Sequence, residues 1–357
     1  MKKDRVRRVY IAAYLITPDH IIRNGAVLCE NDKIIAVGGV SGFNLREELE
    51  VFRFEHAYIT PGFLDTHVHG AGGCDCSRVA DSIHPLEAMS HILGCKGAAG
   101  FFPTVVADAP DTMIGNLRTL VAEMKKPLPG ADAIGINIEG PFLNPGKAGA
   151  QPPKFLREID LKFAADLIDA GEGLVRIMTF APELPDADKL IALLRERGVI
   201  ASMGHSLAGE EETLRAIDAG ANHCTHLFNG MNPLHQRQVG LPGIVLTDDR
   251  VTVELIIDGR HVHSRMVDLA CRCKGVSFAV LDCMDRQSMA ALMLKANRAC
   301  NGARRPDMIV RAGRERMGEC IGFDGILLES SNAGAISADI PIWQCIDQFG
   351  KRMMHRP

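Results

Sequence analysis

The 357-residue chain predicts an α/β protein: a (β/α)8 barrel joined to a small β-sandwich-like domain made by its N-terminal segment, with a contribution from the C-terminal one. Three observations carry that expectation. Eight apolar runs between residues 58 and 281 alternate with helix-length stretches of mixed polarity, the pattern of parallel strands buried on both sides and joined by crossover helices. The residues before them break into short β-like runs separated by turn pairs. Nearly every apolar run also ends on a histidine or a carboxylate, and the C-terminal ends of barrel strands are where such folds collect their chemistry.

Taken in order, residues 1–56 form the small β-rich domain, with runs at 9–16, 26–29 and 33–37 and turns expected at Asn24-Gly25 and Asn31-Asp32. Residues 57–284 form the barrel. Its strand runs lie at 58–64, 100–106, 133–138, 175–180, 199–203, 222–227, 251–257 and 277–281. Helical periodicity fills 82–98, 110–125, 153–170, 186–197, 209–219 and 263–273, with Gly or Pro near the ends. The span matches the usual size of a TIM barrel. Residues 285–357 mix short helix-like and strand-like pieces with scattered charge and carry no element assignment from pattern alone.

Composition narrows the partners. Forty basic against 44 acidic residues leave a net charge of −4, so no basic surface dominates and nucleic acid is not the expected partner. No apolar run approaches the roughly 20 residues of a membrane helix, and no membrane association is expected. The apolar stretch at 9–16 follows basic residues but precedes no small-residue cleavage site, and reads as a strand rather than a leader. Eleven cysteines, an odd number in a large chain, point to free thiols in a reducing cytoplasm. The pairs Cys74/Cys76 and Cys271/Cys273 lack the Cys-x2-Cys spacing of a structural zinc site and read as inert thiols. Small-molecule chemistry is left as the default.

The strand ends say which chemistry. The first run leads into PGFLDTHVHG with His67 and His69, the third ends on Glu139, the fifth on His205, and the sixth brings His223 and His226. The seventh leads to Asp258, His261 and His263, and the eighth ends on Asp282. Side chains two apart on an extended strand share a face, so His67 and His69 can aim at one ion, and imidazole suits zinc, iron and similar metals. Coincidence with Glu139, His205, His226 and Asp282 turns a weak His-x-His signal into a metal-centre prediction. A divalent ion there would activate water and polarise an amide carbonyl. A carboxylate such as Asp282 would take a proton from that water and pass it to the leaving amine, and His261 could donate to the developing oxyanion.

Together the strings PGFLDTHVHG, GINIEGPFLNPGKAGA, MGHS, CTHLFNGMNP, IIDGRHV and AVLDCM resemble the amidohydrolase superfamily and, within it, the N-acetylglucosamine-6-phosphate deacetylases. The resemblance runs from about residue 58 to residue 284. It implies that Glu139, His205 and His226 form the main metal site and that His67 and His69 build a second site in members that keep it. It further implies Asp282 as general base and then acid, and His261 near the scissile amide. Asn229, Gly230 and Arg237 would hold the sugar phosphate, the arginine being lent in some members by the neighbouring subunit of a homodimer. The implied cofactor is one or two divalent ions per subunit, zinc first, with iron, manganese or cobalt as alternatives. The implied partner is a phosphorylated amino sugar.

Two departures stand out. The family's Gly-Ala-His after the metal-binding glutamate is here Gly149-Ala150-Gln151; Gln151 is expected to hydrogen-bond a sugar hydroxyl or phosphate but cannot be a cation. The sequence after Asp282 lacks the family's glycine-rich continuation and its return to the β-domain, RPDMIV at 305–310 being the one string similar to the expected closing strand. Residues 285–357 are a divergent C-terminal segment, with a diverged end, an incomplete β-domain and a change of reading frame left open. Two other functions therefore compete with deacetylation: hydrolysis of another C–N bond, as in a dihydroorotase-like enzyme, and a catalytically inactive homologue acting as a binding protein. Asp258 before Gly259 reads as a turn former.

Overall fold

A computed structural model describes residues 6–274, apart from 18–19, 32, 46–48, 82–83 and 259, together with strands at 278–281 and 325–329. The small domain begins with β1 (Arg7–Ile16), β2 (Ile21–Glu30), β3 (Lys33–Gly39) and β4 (Glu50–Pro61). β2 pairs antiparallel with β1 and β3, and β4 pairs parallel with β1. Strand periodicity divides their apolar residues between two faces. Tyr10, Ala12, Val27, Cys29 and Phe54 pack on one, and Val9, Ile11 and Ala26 on the other. The register against β4 slips between Ala12 and Tyr14, and beyond the slip Leu15 joins the Tyr10 face. The turn expected at Asn24-Gly25 is not one. Both residues lie inside β2 with Asn24 at φ 46°, because the ladder to β1 continues on either side and overrides the local turn preference.

Only Gly62 separates β4 from the first barrel strand, β5 (Phe63–Val68). A methyl group on Gly62 would lie 2.3 Å from Ala99 Cβ, so glycine is what lets the crossing chain approach its neighbour. A short hairpin follows, β6 (Gly70–Ala71) with β7 (Cys74–Asp75). Next come α1 (Pro85–Cys95), β8 (Ala98–Val106), α2 (Pro110–Met124), β9 (Asp132–Ala133) and β10 (Ile136–Glu139). Then α3 (Leu161–Ala170), β11 (Val175–Phe180), α4 (Ala187–Glu196), β12 (Ile200–Met203) and α5 (Glu210–Ala219) alternate. The series continues with β13 (His223–Cys224), α6 (Gly240–Thr247), β14 (Thr252–Leu255), α7 (Ser264–Lys274) and β15 (Phe278–Leu281).

The strands β5, β8, β10, β11, β12, β13, β14 and β15 pair in that order, all parallel, and β15 returns alongside β5. This is the expected (β/α)8 barrel. Three strands differ from their sequence runs, the run at 133–138 being split into β9, which pairs with β8, and β10. The run at 58–64 is divided, because residues up to Pro61 still pair within the small sheet. The run at 222–227 is a strand only at His223–Cys224, since the chain turns sharply at His226 (φ 29°) and Phe228 (φ 79°).

Helices cover the outside in the way their spacing dictates. The Asp160 side chain caps α3 by accepting from the Phe163 N–H at 3.0 Å. Phe163, Ala164, Leu167 and Ile168 then face inward, as do Leu190, Ile191 and Leu194 of α4. They share one core with Ile136, Ile138, Met178, Phe180, Ala201, Met203, Cys224, Val253 and Leu255 from the strands. The alternate strand residues are polar and buried: Asn137, Thr179, Ser202, His223 and Glu254. The barrel's inner face is thus a hydrogen-bonded layer rather than the apolar filling its runs suggested. Thr225 Oγ1 lies 2.8 Å from Thr179 Oγ1 and 2.6 Å from Ser202 Oγ.

The C-terminal segment contributes β16 (Gly325–Glu329), antiparallel to β4, which extends the small sheet to five strands. The expected closing strand at 305–310 lies outside the described residues. No helix among the described residues is long and apolar enough to cross a membrane.

Candidate metal centre

Extended backbone in β5 carries His67 and His69 to one side, with their Nε2 atoms 3.1 Å apart. Glu139, the last residue of β10, stands beside them. Its Oε1 is 3.5 Å from His67 Nε2 and its Oε2 is 3.2 Å from His69 Nε2. His205 and His226 follow β12 and β13, each in the left-handed region (φ 47° and 29°), which swings their rings back over the barrel mouth. Their Nε2 atoms lie 2.9 Å from Glu139 Oε1 and 3.0 Å from each other. Two triads result, His67–His69–Glu139 and Glu139–His205–His226, sharing one carboxylate.

The other ring nitrogens decide what this cluster wants. His205 Nδ1 is 2.7 Å from the Lys147 carbonyl and His226 Nδ1 is 3.1 Å from the Asn229 carbonyl. A carbonyl only accepts, so both Nδ1 atoms carry the proton, and in the neutral ring Nε2 presents a lone pair. His67 Nδ1 is likewise 3.1 Å from Glu254 Oε2. Lone pairs from three rings therefore converge on a buried carboxylate. Acceptors facing acceptors repel unless a cation lies among them, so the donor set fits a divalent metal, with nitrogen and carboxylate ligands of the kind zinc takes.

The electrostatics agree. Burial alone would push the Glu139 carboxyl up, but the surrounding imidazoles hold it well below the usual carboxylate range. Burial alone would lower His205, yet its hydrogen bond to Glu139 raises it above the ordinary histidine value.

Neighbouring loops hold the ligands in place. The Asn144 N–H donates to the His205 carbonyl at 3.0 Å. The Glu183 carboxylate accepts from Asn144 Nδ2 (2.9 Å), Ser206 Oγ (2.7 Å) and the Leu207 N–H (2.6 Å), tying together the loops that leave β10, β11 and β12. Gly230, expected on the substrate, has a second use. At φ 60°, a side chain there would come within 3.0 Å of His205 Nδ1 and 3.4 Å of His226 Cε1, so only glycine leaves both rings room.

The remaining expected residues fall as follows. Gln151, anticipated on a sugar hydroxyl or phosphate, is buried with both amide atoms engaged. Its Oε1 accepts from the Ala107 N–H at 3.0 Å and its Nε2 donates to Glu139 Oε2 at 2.5 Å, so it braces the shared carboxylate instead. Asn229 is half-buried, and its carbonyl orients His226. His261 is exposed on the loop after β14, with Nδ1 2.7 Å from Asp258 Oδ2. Asp258 shapes that turn, as anticipated, by accepting from the Arg260 and His261 N–H groups, and it also holds the His261 ring. Arg237 is exposed on the loop before α6. Asp282 lies outside the described residues, one position past the end of β15. A cleft of about 400 Å³ opens beside His69, lined by Ala71, Cys74, Asp75 and Val106 among others. The residue that sequence reasoning missed is Glu254, whose one signal is a carboxylate set in the middle of the apolar string VTVELII.

The profile of the amidohydrolase family matches residues 58–326. The N-acetylglucosamine-6-phosphate deacetylase of Bacillus subtilis (strain 168) is 34% identical over 270 residues, covering 75% of this chain and 67% of the relative. The N-acetylgalactosamine-6-phosphate deacetylase of Escherichia coli O157:H7 is 35% identical over 215 residues, covering 60% of this chain and 56% of the relative. Among solved structures, a variant of the Mycobacterium smegmatis N-acetyl-D-glucosamine-6-phosphate deacetylase in complex with N-acetyl-D-glucosamine-6-phosphate superposes with a TM-score of 0.72 at 31% identity. That match covers 77% of this chain and 70% of the other. The chain thus spans between about half and two thirds of the length of the curated relatives it matches. With the profile covering most of the chain and the barrel carrying the histidines and glutamate at its strand ends, the protein belongs to the amidohydrolase family.

Proposed function

We propose that this chain is a metal-dependent deacetylase, a hydrolase of linear amide C–N bonds. It would convert an N-acetylated amino-sugar 6-phosphate, N-acetylglucosamine 6-phosphate first, to the free amine and acetate. The observation that carries this reading is the convergence of four imidazoles on the buried Glu139 carboxylate at the barrel mouth. Relatives named for deacetylation of both N-acetylglucosamine and N-acetylgalactosamine 6-phosphate support the substrate class.

Glu139, His205 and His226 would hold one divalent ion, and His67 and His69 with Glu139 a second, zinc being favoured by the mixed imidazole and carboxylate set. A divalent ion there supplies Lewis acidity, polarising an acetamide carbonyl and making water acidic enough to react near neutral pH. Asp282 takes the proton from the attacking water and delivers it to the leaving nitrogen, which cannot depart as an anion. In its imidazolium form His261, held through Nδ1 by Asp258, would donate from Nε2 to the amide oxygen. Asn229, Gly230 and Arg237 stand on the loop between β13 and α6 and take the sugar phosphate, the Arg237 fork suiting phosphate oxygens. This reading includes a homodimer that completes the phosphate site, and a cytoplasmic location; Cys29, Cys74, Cys76, Cys224, Cys271 and Cys273 are free thiols as expected, whereas Cys95 is disulfide-bonded, against that expectation.

The test is acetate release from N-acetylglucosamine 6-phosphate by protein reconstituted with Zn²⁺, against the chelated protein. Turnover that needs the metal is the expected result. A fully loaded protein that releases no acetate from either phosphorylated sugar overturns the proposal, and turnover of cyclic amides alone would place it with the dihydroorotase-like hydrolases.

A further inference from the structure

Glu254 has no exposed surface and sits in the middle of β14, below the barrel mouth. A carboxylate there is costly unless it is paired and hydrogen-bonded. Its partners are specific. Oε1 accepts from Thr66 Oγ1 at 2.6 Å, and Oε2 lies 3.1 Å from His67 Nδ1. The His223 ring stands 3.7 Å from Oε1, and that ring's other nitrogen meets Ser202 Oγ at 2.8 Å. Both short contacts go to adjacent residues of β5, the strand that carries the His-x-His pair.

The four imidazoles are not backed alike. His205 and His226 rest on the neutral carbonyls of Lys147 and Asn229, whereas His67 rests on a full negative charge. The charged support falls on the triad whose other histidine, His69, is 43% exposed. A carboxylate behind a ligand histidine fixes which nitrogen is protonated, holds the ring's angle and strengthens the other nitrogen as a donor. The more open triad is therefore the one given the stronger brace.

We propose that Glu254 is the positioning residue of the His67–His69–Glu139 metal subsite: its carboxylate locks His67 with Nδ1–H turned into the barrel and Nε2 presented to a cation. This inference rests on the metal-dependent reading above, but its test does not use the substrate. Wild-type protein, Glu254→Gln and Glu254→Leu are stripped with a chelator. Zn²⁺ uptake is then followed by equilibrium dialysis with elemental analysis, and Co²⁺ uptake by its visible spectrum.

Wild type takes up two ions per chain. In Glu254→Gln the weaker step shifts by about 10–100-fold, the usual cost of losing such a partner, while the tighter step at Glu139, His205 and His226 stays put. In Glu254→Leu the weaker step and its Co²⁺ absorption disappear. An unchanged tighter step doubles as the control for folding, and if the leucine variant does not fold the glutamine variant decides. Three results overturn the proposal: one ion only in wild type, wild-type affinity for the second ion in a folded variant, or equal weakening of both steps, which is the mark of a merely structural ion pair. Two-step uptake without acetate release would sink the deacetylase proposal and leave this one standing.

Discussion

Glu139 ends a four-residue strand, yet its carboxylate meets five other side chains, His67, His69, His205, His226 and Gln151. Because His205 is held above the ordinary histidine value by that carboxylate, protons and cations compete for the same pocket. Metal uptake is expected to be full above the raised pKa and to weaken as pH falls through it; titration with Zn²⁺ at pH 6 and pH 8 checks this, and equal affinities would contradict it. The metal-free fold has the opposite dependence. The stability this histidine contributes is complete below about 6.5, the unfolded value, and is lost as pH rises through the folded one. Asp282→Asn is expected to keep the bound ion and lose most turnover, about 10²–10⁴-fold if proton transfer is its task, as read by acetate release alongside metal content. Arg237→Ala is expected to raise KM for the phosphorylated sugar far more than for the unphosphorylated one, and equal effects would remove the phosphate role. At this scale the candidate ligands were legible because strand ends and two-residue spacing mark them. Gln151 was legible as a departure but not in its direction, since nothing local in Gly149-Ala150-Gln151 says that the amide turns inward to Glu139 rather than outward.

Elements differ in how openly they announce themselves. α3 and α4 follow from their apolar spacing and, in α3, from the Asp160 cap. β13 does not, because the string after Cys224 keeps its apolar look while the backbone turns to deliver His226. The polar inner face of the barrel was hidden for a related reason: single Asn, Thr, Ser and Glu residues in short apolar runs do not break a strand pattern. α6 and α7 are joined by a contact of the same hidden kind. Lys274, the last residue of α7, is buried and donates through Nζ to the carbonyls of Val245 (2.9 Å) and Asp248 (2.7 Å) at the end of α6. A cation is well placed at a helix C-terminus. Lys274→Met keeps the apolar stem but strands both carbonyls, and is expected to cost about 1.5–3 kcal/mol, measured by urea unfolding; a change within 0.5 kcal/mol, the usual range of surface substitutions, would show that the contact is dispensable.

Across the whole molecule, the candidate ligands come from β5, from β10 and from the turns after β12 and β13, so an ion that binds the native barrel has no equivalent site in the unfolded chain. Loading at a hundred times the dissociation constant is expected to stabilise the protein by about 2.7 kcal/mol. Thermal unfolding with Zn²⁺ and with chelator measures it, and coincident transitions would mean that the donors do not act together. The barrel was legible from alternation and three strands of the small sheet from their apolar runs, whereas β4 and the strand that completes the sheet were not. β16 is a five-residue string, GILLE, in a stretch whose sequence pattern is weak, and its pairing with β4 identifies it. β4 has a further meaning. It is held by β1 and β16 along its length, and with a single glycine between it continues into the strand bearing His67 and His69. With no slack in that splice, the smaller sheet works as an anchor plate for the first pair of ligands. A protein engineer who grafted the barrel onto a different appendage would have to cut the same ribbon from which the His67–His69 pair hangs.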